Sequence, residues 1–284
     1  MKENCLKLYL KYMVLNVLGM LGLSCYILAD TYFISVGLGS NGLTALNLAI
    51  PVFSFINGTG LMLGMGGATR YSILKSQGQD QRKNQVFTNT IFLYLGFSLL
   101  FELLGVFGCN LITKLLGADE AVFSMTKTYI QVLLLFSPAF LLNPILQCFV
   151  RNDGAPQLSM AAMLGGSFSN IILDYVFIFI FDMGIFGAVL ATSFAPIIGL
   201  MIQSPFFIKK KNQFHLIRCG LRGRTVSYIF AGGIPSLISE LSSGIVIIVF
   251  NSIILGIEGN IGVAAYGVIA NLSLVVISAI VRPP

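Results

Sequence analysis

Long apolar runs separated by short polar connectors make up most of this chain. A helix needs about 20 apolar residues to cross the hydrocarbon core of a bilayer, and the runs of roughly that length predict membrane-spanning helices. The pattern therefore predicts an all-α, polytopic membrane protein. The predicted spans are residues 12–36, 43–69, 86–111, 128–149, 158–181, 184–208, 226–256 and 261–281.

The composition argues against a soluble globular domain. Hydrophobic residues make up 56% of the chain and charged residues only 10%, and the mean hydropathy is +0.88. Such a chain is too apolar for a soluble protein of this size. The five cysteines form no C-x-x-C pair and there is a single histidine, so no disulfide framework, fixed metal or redox centre is predicted.

Basic residues predict the orientation of the chain in the membrane. If the eight spans alternate, every Lys and Arg except Lys114 and Lys127 falls on one face. Positive residues are retained on the cytoplasmic face, so the amino terminus is predicted to be cytoplasmic and the protein to be multi-pass in the cell membrane. The net charge of +6 then reflects this topology and attraction to anionic lipid, and nucleic acid is not an expected partner.

One connector is longer than the others and divides the chain. Residues 209–225 are basic and cytoplasmic in the predicted topology, so they are interpreted as a linker between lobes. The expected organisation is a six-helix amino-terminal lobe over 1–208 and a partial carboxy-terminal lobe of two helices over 226–284.

An internal repeat supports this division. Sliding the sequence by 219 residues aligns Gly37 with Gly256 and Asn41 with Asn260, among six identities. Six spans per repeat is an even number, so the copies would be parallel repeats, a transporter architecture. A second repeat as long as the first would need four further spans, so we expect a fragment of a twelve-helix protein, truncated after the eighth helix.

Acidic residues inside apolar runs are the strongest candidates for function. Asp30 and Asp174 lie within predicted spans, and Asn170 precedes Asp174 at helical spacing, so the two share a face. At about 1.5 Å of helical rise per residue, Asp30, Asp174 and Thr192 lie at a similar depth in the outer half of the membrane. An ionisable group inside a span indicates a functional site by default.

These carboxylates lack a fixed positive partner in the sequence. No Lys or Arg lies at matching depth in the first six spans, so the balancing cation is expected to be mobile, either H+ or Na+. No cofactor is expected, and Na+, where it is the coupling ion, is expected to bind at Asp30, Asn170, Asp174 and Thr192. Structural alternatives stay open, in which Asp30 ends a helix and Asn170 and Asp174 only bind neighbouring helices.

Two other polar positions have competing interpretations. Glu240, near the middle of the seventh span, is a second cation-coupling residue or a structural hydrogen-bond group. Residues 151–156 (RNDGAP) favour a tight cytoplasmic turn, because Asn, Asp and Gly suit turns and Pro suits the first helical position.

The sequence resembles the multidrug and toxic compound extrusion (MATE) transporters over nearly its whole length. Four blocks carry the resemblance: Ala29-Asp30-Thr31 through Gly37 and Gly39; Ala45 through Ile50-Pro51; Arg151 to Pro156; and Asn170 to Asp174 followed by Gly184, Gly187-Ala188 and Ala191-Thr192.

The resemblance implies a monomeric efflux antiporter that exports drug-like or organic cations by alternating access, driven by inward flow of H+ or Na+. It implies a cation site at Asp30, Asn170, Asp174 and Thr192, with Tyr26 beside Asp30. Tyr26, Asp30 and Asp174 are then expected to contact substrate, and Glu240 matches a carboxylate of the second lobe.

Two rival functions compete with this one. A flippase for lipid-linked oligosaccharides or polyprenyl substrates would have a related two-lobe fold, but it would need a strongly cationic cavity. An intramembrane aspartyl protease would use Asp30 and Asp174, but neither lies in a Gly-x-Gly-Asp setting and no further catalytic group is nearby. The chain is therefore not expected to be an enzyme.

Overall fold

The computed structural model describes the backbone of residues 5–281, and side chains between 26 and 269 except those of 27, 260, 264, 267 and 268. Lys2 and Arg282, which the orientation prediction uses, lie outside the described residues. The helices are α1 (Cys5–Ser76), α2 (Asp80–Leu103), α3 (Cys109–Leu115), α4 (Glu120–Leu135), α5 (Ser137–Asn152), α6 (Pro156–Tyr175), α7 (Gly184–Ile208) and α8 (Gly223–Val281), with π-helical turns at Leu104–Gly108 and Val176–Ile180.

The structure confirms an all-α membrane protein. The described part contains no strand, and five of its helices are long and apolar enough to cross a membrane. A sixth span forms if the bent pair α4 and α5 is counted as one. The count of eight spans and the division into lobes stay predictions.

The two longest helices are each broken at a glycine. Gly39 interrupts α1 with φ 68° and ψ −161°, and Gly259 interrupts α8 with φ 64° and ψ −154°. Glycine adopts positive φ without a steric penalty, which explains its presence at both breaks. Both fall in predicted connectors, and their similar geometry supports an internal repeat. They are 220 residues apart, one more than the predicted repeat offset of 219, which stays a prediction.

The fourth predicted span is not one straight helix. The sequence predicts a continuous span over 128–149, whereas α4 and α5 meet at Phe136 and differ in direction by 51°. Pro138 supplies the physical reason, because it has no N–H donor and its ring would clash with the carbonyl four residues earlier, that of Leu134.

Apolar side chains cover the outside of the bundle. Leu99 and Leu103 on α2 are 58% and 48% exposed, and Phe107 in the following π-helical turn is 80% exposed. A soluble protein would bury such a surface, whereas the hydrocarbon of a bilayer can cover it. The outer face of α2 therefore fits a lipid-facing surface.

Glycines let α8 pack directly on the second half of α1. A Cβ added at Gly66 would overlap the carbonyl oxygen of Ile229, and one added at Gly233 would overlap that of Met62. Small residues are typical of such close contacts between membrane helices.

The predicted linker 209–225 is non-helical over residues 209–222, and α8 begins directly after it at Gly223. Its role as a connection between two lobes stays a prediction.

Candidate functional site

Asp30 and Asp174 come together from two helices. Asp30 lies on α1 before the Gly39 break and is 6% exposed, and Asp174 lies near the end of α6 and is fully buried. Their carboxyl groups are close enough to interact electrostatically. Two carboxylates are both acceptors, so a hydrogen bond between them would form only when one of them carries a proton.

The polar atoms around this pair lack hydrogen-bond partners. Asn170 lies one turn before Asp174 on the same buried face of α6, as its spacing predicts. Both amide atoms of Asn170, both carboxylate oxygens of Asp174 and Oδ1 of Asp30 have no partner among the described residues. Buried polar groups are nearly always hydrogen-bonded, so such a group of unpartnered atoms is suited to binding a proton, an ion or water.

Thr192 and two tyrosines complete the surroundings of the pair. Thr192 on α7 donates to the carbonyl oxygen of Ala188 at 3.2 Å and lies near Tyr129 of α4. The phenol groups of Tyr26 and Tyr129 both lie within electrostatic range of Asp30 and Asp174. The predicted residues Tyr26, Asp30, Asn170, Asp174 and Thr192 are therefore brought into one cluster.

Tyr129 is a member of the cluster that the sequence did not reveal. It is 3% exposed and belongs to an apolar span, where a single aromatic residue resembles any packing residue. Its depth beside Thr192 depends on how α4 and α7 pack, which local sequence does not encode.

The backbone of α6 changes form directly after the acid pair. The helix becomes a π-helical turn over Val176–Ile180, beginning two residues after Asp174. π-Helical turns insert a residue into the helix and occur often at functional sites. The backbone hydrogen-bond pattern of the helix therefore changes between Asp174 and the outer end of the helix.

A cavity of about 640 Å³ adjoins the cluster. Tyr26 and Thr192 line one end of it, and Arg151 and Pro156 line the other, which is cytoplasmic in the predicted topology. Glu240 of α8 lines the same cavity and packs over Gly58 of α1. Glu240 thus shares the cavity with the acid cluster, and its coupling role stays a prediction.

No cation among the described residues forms an ion pair with the acid pair. Neither ion pair of the described residues includes Asp30 or Asp174. The same part of the chain holds no cluster of three or more Asp, Glu, His or Cys side chains. The oxygen atoms of Asp30, Asn170, Asp174 and Thr192 are hard donors that suit a proton or Na+ rather than a transition metal.

Comparisons with known proteins agree on one family. The MatE family profile matches residues 16–176. The multidrug export protein MepA of Staphylococcus saprophyticus is 29% identical over 269 residues, which are 94% of this chain and 59% of the relative. MepA of Staphylococcus aureus is 28% identical over the same shares. The chain thus spans about 59% of the length of these curated relatives.

Solved structures show the same fold. A MATE multidrug transporter, DinF-BH, in complex with rhodamine 6G superposes with a TM-score of 0.89 at 25% identity, covering 98% of this chain and 63% of that one. An inward-facing multidrug resistance transporter of the MATE family has a TM-score of 0.85 at 25% identity, covering 90% of this chain and 59% of that transporter.

Proposed function

The chain belongs to the multidrug and toxic compound extrusion family, and we propose that it is part of a cation-coupled multidrug efflux antiporter. It would export drug-like or organic cations from the cytoplasm, as a monomer in the cell membrane with a cytoplasmic amino terminus. H+ or Na+ would drive export, and no further cofactor would take part.

One observation carries this proposal: both carboxylate oxygens of Asp174 and Oδ1 of Asp30 are buried without a hydrogen-bond donor among the described residues. Leaving two neighbouring carboxylates unpartnered in a low-dielectric interior is unfavourable, so a bound cation would stabilise the pair considerably. A proton would turn the close contact between Asp30 and Asp174 into a hydrogen bond. A Na+ ion would instead use the oxygen atoms of Asn170 and Thr192 as additional ligands.

Coupling follows if cation and substrate favour different states. A ligand shifts a conformational equilibrium only by its differential affinity for the two states. Tyr26 and Thr192 belong to both the cluster and the cavity wall, so a change of charge at the acid pair reaches the cavity directly. Cation binding would then lower the affinity of the cavity for a cationic substrate.

The flippase alternative has less support. A polyprenyl pyrophosphate carries several negative charges and would need a cluster of basic residues. Among the described residues that line the cavity, Arg151 is the one basic side chain, and Glu240 lines the same space.

The test uses the reciprocity of coupled binding, since a cation that weakens substrate binding must itself be weakened by substrate. Rhodamine 6G affinity would be measured by fluorescence polarisation on the purified chain over a range of pH and of Na+ concentration. We expect affinity to fall at least about fivefold as one of the two cations saturates the site. The variant D174N should lose this dependence and still bind the dye.

The matched control is Asp182→Asn, the same chemical change at an exposed residue outside the cluster. It should keep the wild-type dependence on cation. Dye binding that responds equally in D174N and the wild-type chain would contradict a coupling role for the acid pair.

A further inference from the structure

Arg151 is a cavity-lining cation that the coupling mechanism does not use. It lies in the last turn of α5, and its side chain contributes to the wall of the cavity at the end opposite Tyr26 and Thr192. The residue is half-buried, with part of its surface open to this space. A basic residue at the cytoplasmic end of a span is common, but one in a substrate cavity requires a separate explanation.

The guanidinium group has poor partners within the described chain. Its Nη2 atom contacts Sδ of Met65 at 3.3 Å and Sγ of Cys148 at 3.9 Å, and sulfur is a weak acceptor. Arg151 takes part in neither ion pair of the described residues. A guanidinium group carries five N–H donors, so most of its hydrogen-bonding capacity is available to a ligand.

The nearest acidic residue in sequence is already committed elsewhere. Asp153 accepts hydrogen bonds from Tyr71 and Lys75 through Oδ1 and from the backbone N–H of Gln213 through Oδ2. All three donors lie outside the cavity-lining set. Asp153 lies two residues from Arg151 in the sequence, but it is hydrogen-bonded to other groups and does not pair with Arg151.

Amide groups extend the polar stripe from Arg151 into the cavity. Asn143 and Gln147 precede Arg151 at intervals of four residues on α5, so the three side chains share a face. The amide oxygen of Asn143 already accepts from Gln147 and from Gln203, both at 3.2 Å. Asn143 therefore offers N–H donors to a ligand, which suit an anionic group as the guanidinium does.

We propose that Arg151 determines specificity by binding a carboxylate of an amphoteric aromatic substrate, whose cationic part lies toward Glu240 and the acid cluster. The inference rests on the proposed export function and names a class of substrate for the same cavity. A guanidinium binds a carboxylate through two parallel hydrogen bonds, which fixes the orientation of the bound molecule as well as its charge. The aromatic body would contact Phe53 and Phe140 in the cavity wall.

A pair of dyes that differ in one group tests this proposal. Rhodamine 6G is an ester and carries a single positive charge, whereas its free acid, rhodamine 19, has the same ring system and a carboxylate. Both affinities would be measured on the purified chain by fluorescence polarisation. The variants are Arg151→Gln and Arg151→Lys, and Arg70→Gln is the matched control because Arg70 stacks over Tyr228 at 4.4 Å and does not line the cavity.

We expect Arg151→Gln to weaken binding of the free acid about tenfold, the usual magnitude for losing a charge-assisted hydrogen bond. Arg151→Lys should have an intermediate effect because an ammonium group cannot make the two parallel bonds. Rhodamine 6G binding should be retained in both variants, which also shows that they fold. Arg70→Gln should leave the ratio of the two affinities unchanged.

Three results would overturn the proposal. Equal weakening of both dyes, or no change for either, would mean that Arg151 does not recognise the carboxylate. A wild-type chain that binds the ester but not the acid would overturn the inference and leave the export function standing. A wild-type chain that binds neither dye would overturn both.

Discussion

Two sites in this protein bury aspartate, and they treat the carboxylate in opposite ways. Asp153, at the cytoplasmic end of α5, has a fully buried side chain and accepts three hydrogen bonds of 2.7 Å, from Tyr71, Lys75 and the Gln213 backbone. Asp174 is equally buried, yet neither of its oxygens has a donor among the described residues. The two carboxylates are thus alike in burial and differ in how many hydrogen bonds they accept.

The site around Asp153 holds the segment 209–222 on the helix bundle. The side chain of Phe214 is fully buried, with its ring packed against those of Tyr71, Phe87 and Phe149. Polar side chains of α2 accept from the backbone of the same segment, as Asn84 does from His215. Several hydrogen bonds and ring contacts thus hold this segment in place, whereas polar atoms of the acid cluster have no partner among the described residues.

The largest change in the free energy of unfolding is expected on replacing Asp153, whose two carboxylate oxygens are both hydrogen-bonded. Asp153→Ala would remove three hydrogen bonds and leave the Lys75 ammonium and the Tyr71 hydroxyl without their acceptor. We expect the free energy of unfolding to fall by about 4 kcal/mol, the range for breaking a buried ion pair. Unfolding of the purified chain by SDS titration in mixed micelles would measure this. The control is Glu258→Ala, which removes a carboxylate from an exposed residue; we expect little change there.

The second-largest change in the free energy of unfolding is expected at Phe214, the buried phenylalanine of the segment 209–222. Phe214→Ala should lower the free energy of unfolding by about 3 kcal/mol, because it leaves a cavity between aromatic rings. The same SDS titration applies, and Phe107→Ala at the 80% exposed position is the control. Equal losses at the two positions would show that residues 209–222 do not pack on the bundle as described.

Replacing one acid of the Asp30–Asp174 pair should raise the free energy of unfolding, whereas replacing Asp153 should lower it. Asp174→Asn replaces one of two adjacent acids by an amide that can donate to Asp30. We expect the free energy of unfolding to rise by about 2 kcal/mol, since a buried group gains its missing partner. Asp182→Asn should leave it unchanged. A loss of stability in Asp174→Asn comparable to that in Asp153→Ala would remove the contrast between the sites.

The sequence predicts the acid cluster well because its signal is local. Asp30, Asn170 and Asp174 are conspicuous as polar residues within apolar runs, and helical spacing alone places Asn170 and Asp174 on one face. The helix breaks also fall where the predicted connectors lie, since glycine marks them. Their part in cation coupling stays a prediction.

The hydrogen bonds to Asp153 could not be predicted in the same way. The sequence identifies 151–156 as a turn, and Gly154 does adopt a φ of 100° there. The donors to Asp153, however, lie 82 and 78 residues earlier and 60 residues later in the chain. Such contacts depend on how α1, α5 and the segment 209–222 pack, and no local pattern encodes them. Tyr129 escapes prediction for the same reason.

The smallest change in the free energy of unfolding is expected for the hydrogen bonds between α2 side chains and the backbone of the segment 209–222. Asn84 accepts from the His215 backbone at 3.1 Å, near the surface, so Asn84→Ala should lower the free energy of unfolding by at most about 1 kcal/mol. The segment should nevertheless open more often, because local opening depends on the few bonds that hold it. We expect trypsin to cleave after Arg218 about fivefold faster, a factor that corresponds to the same energy. Thr88→Val removes the neighbouring acceptor for Ile217 at 3.0 Å without changing shape, and should act similarly. Unchanged cleavage in both variants would mean that Asp153 and Phe214 hold the segment without help from α2.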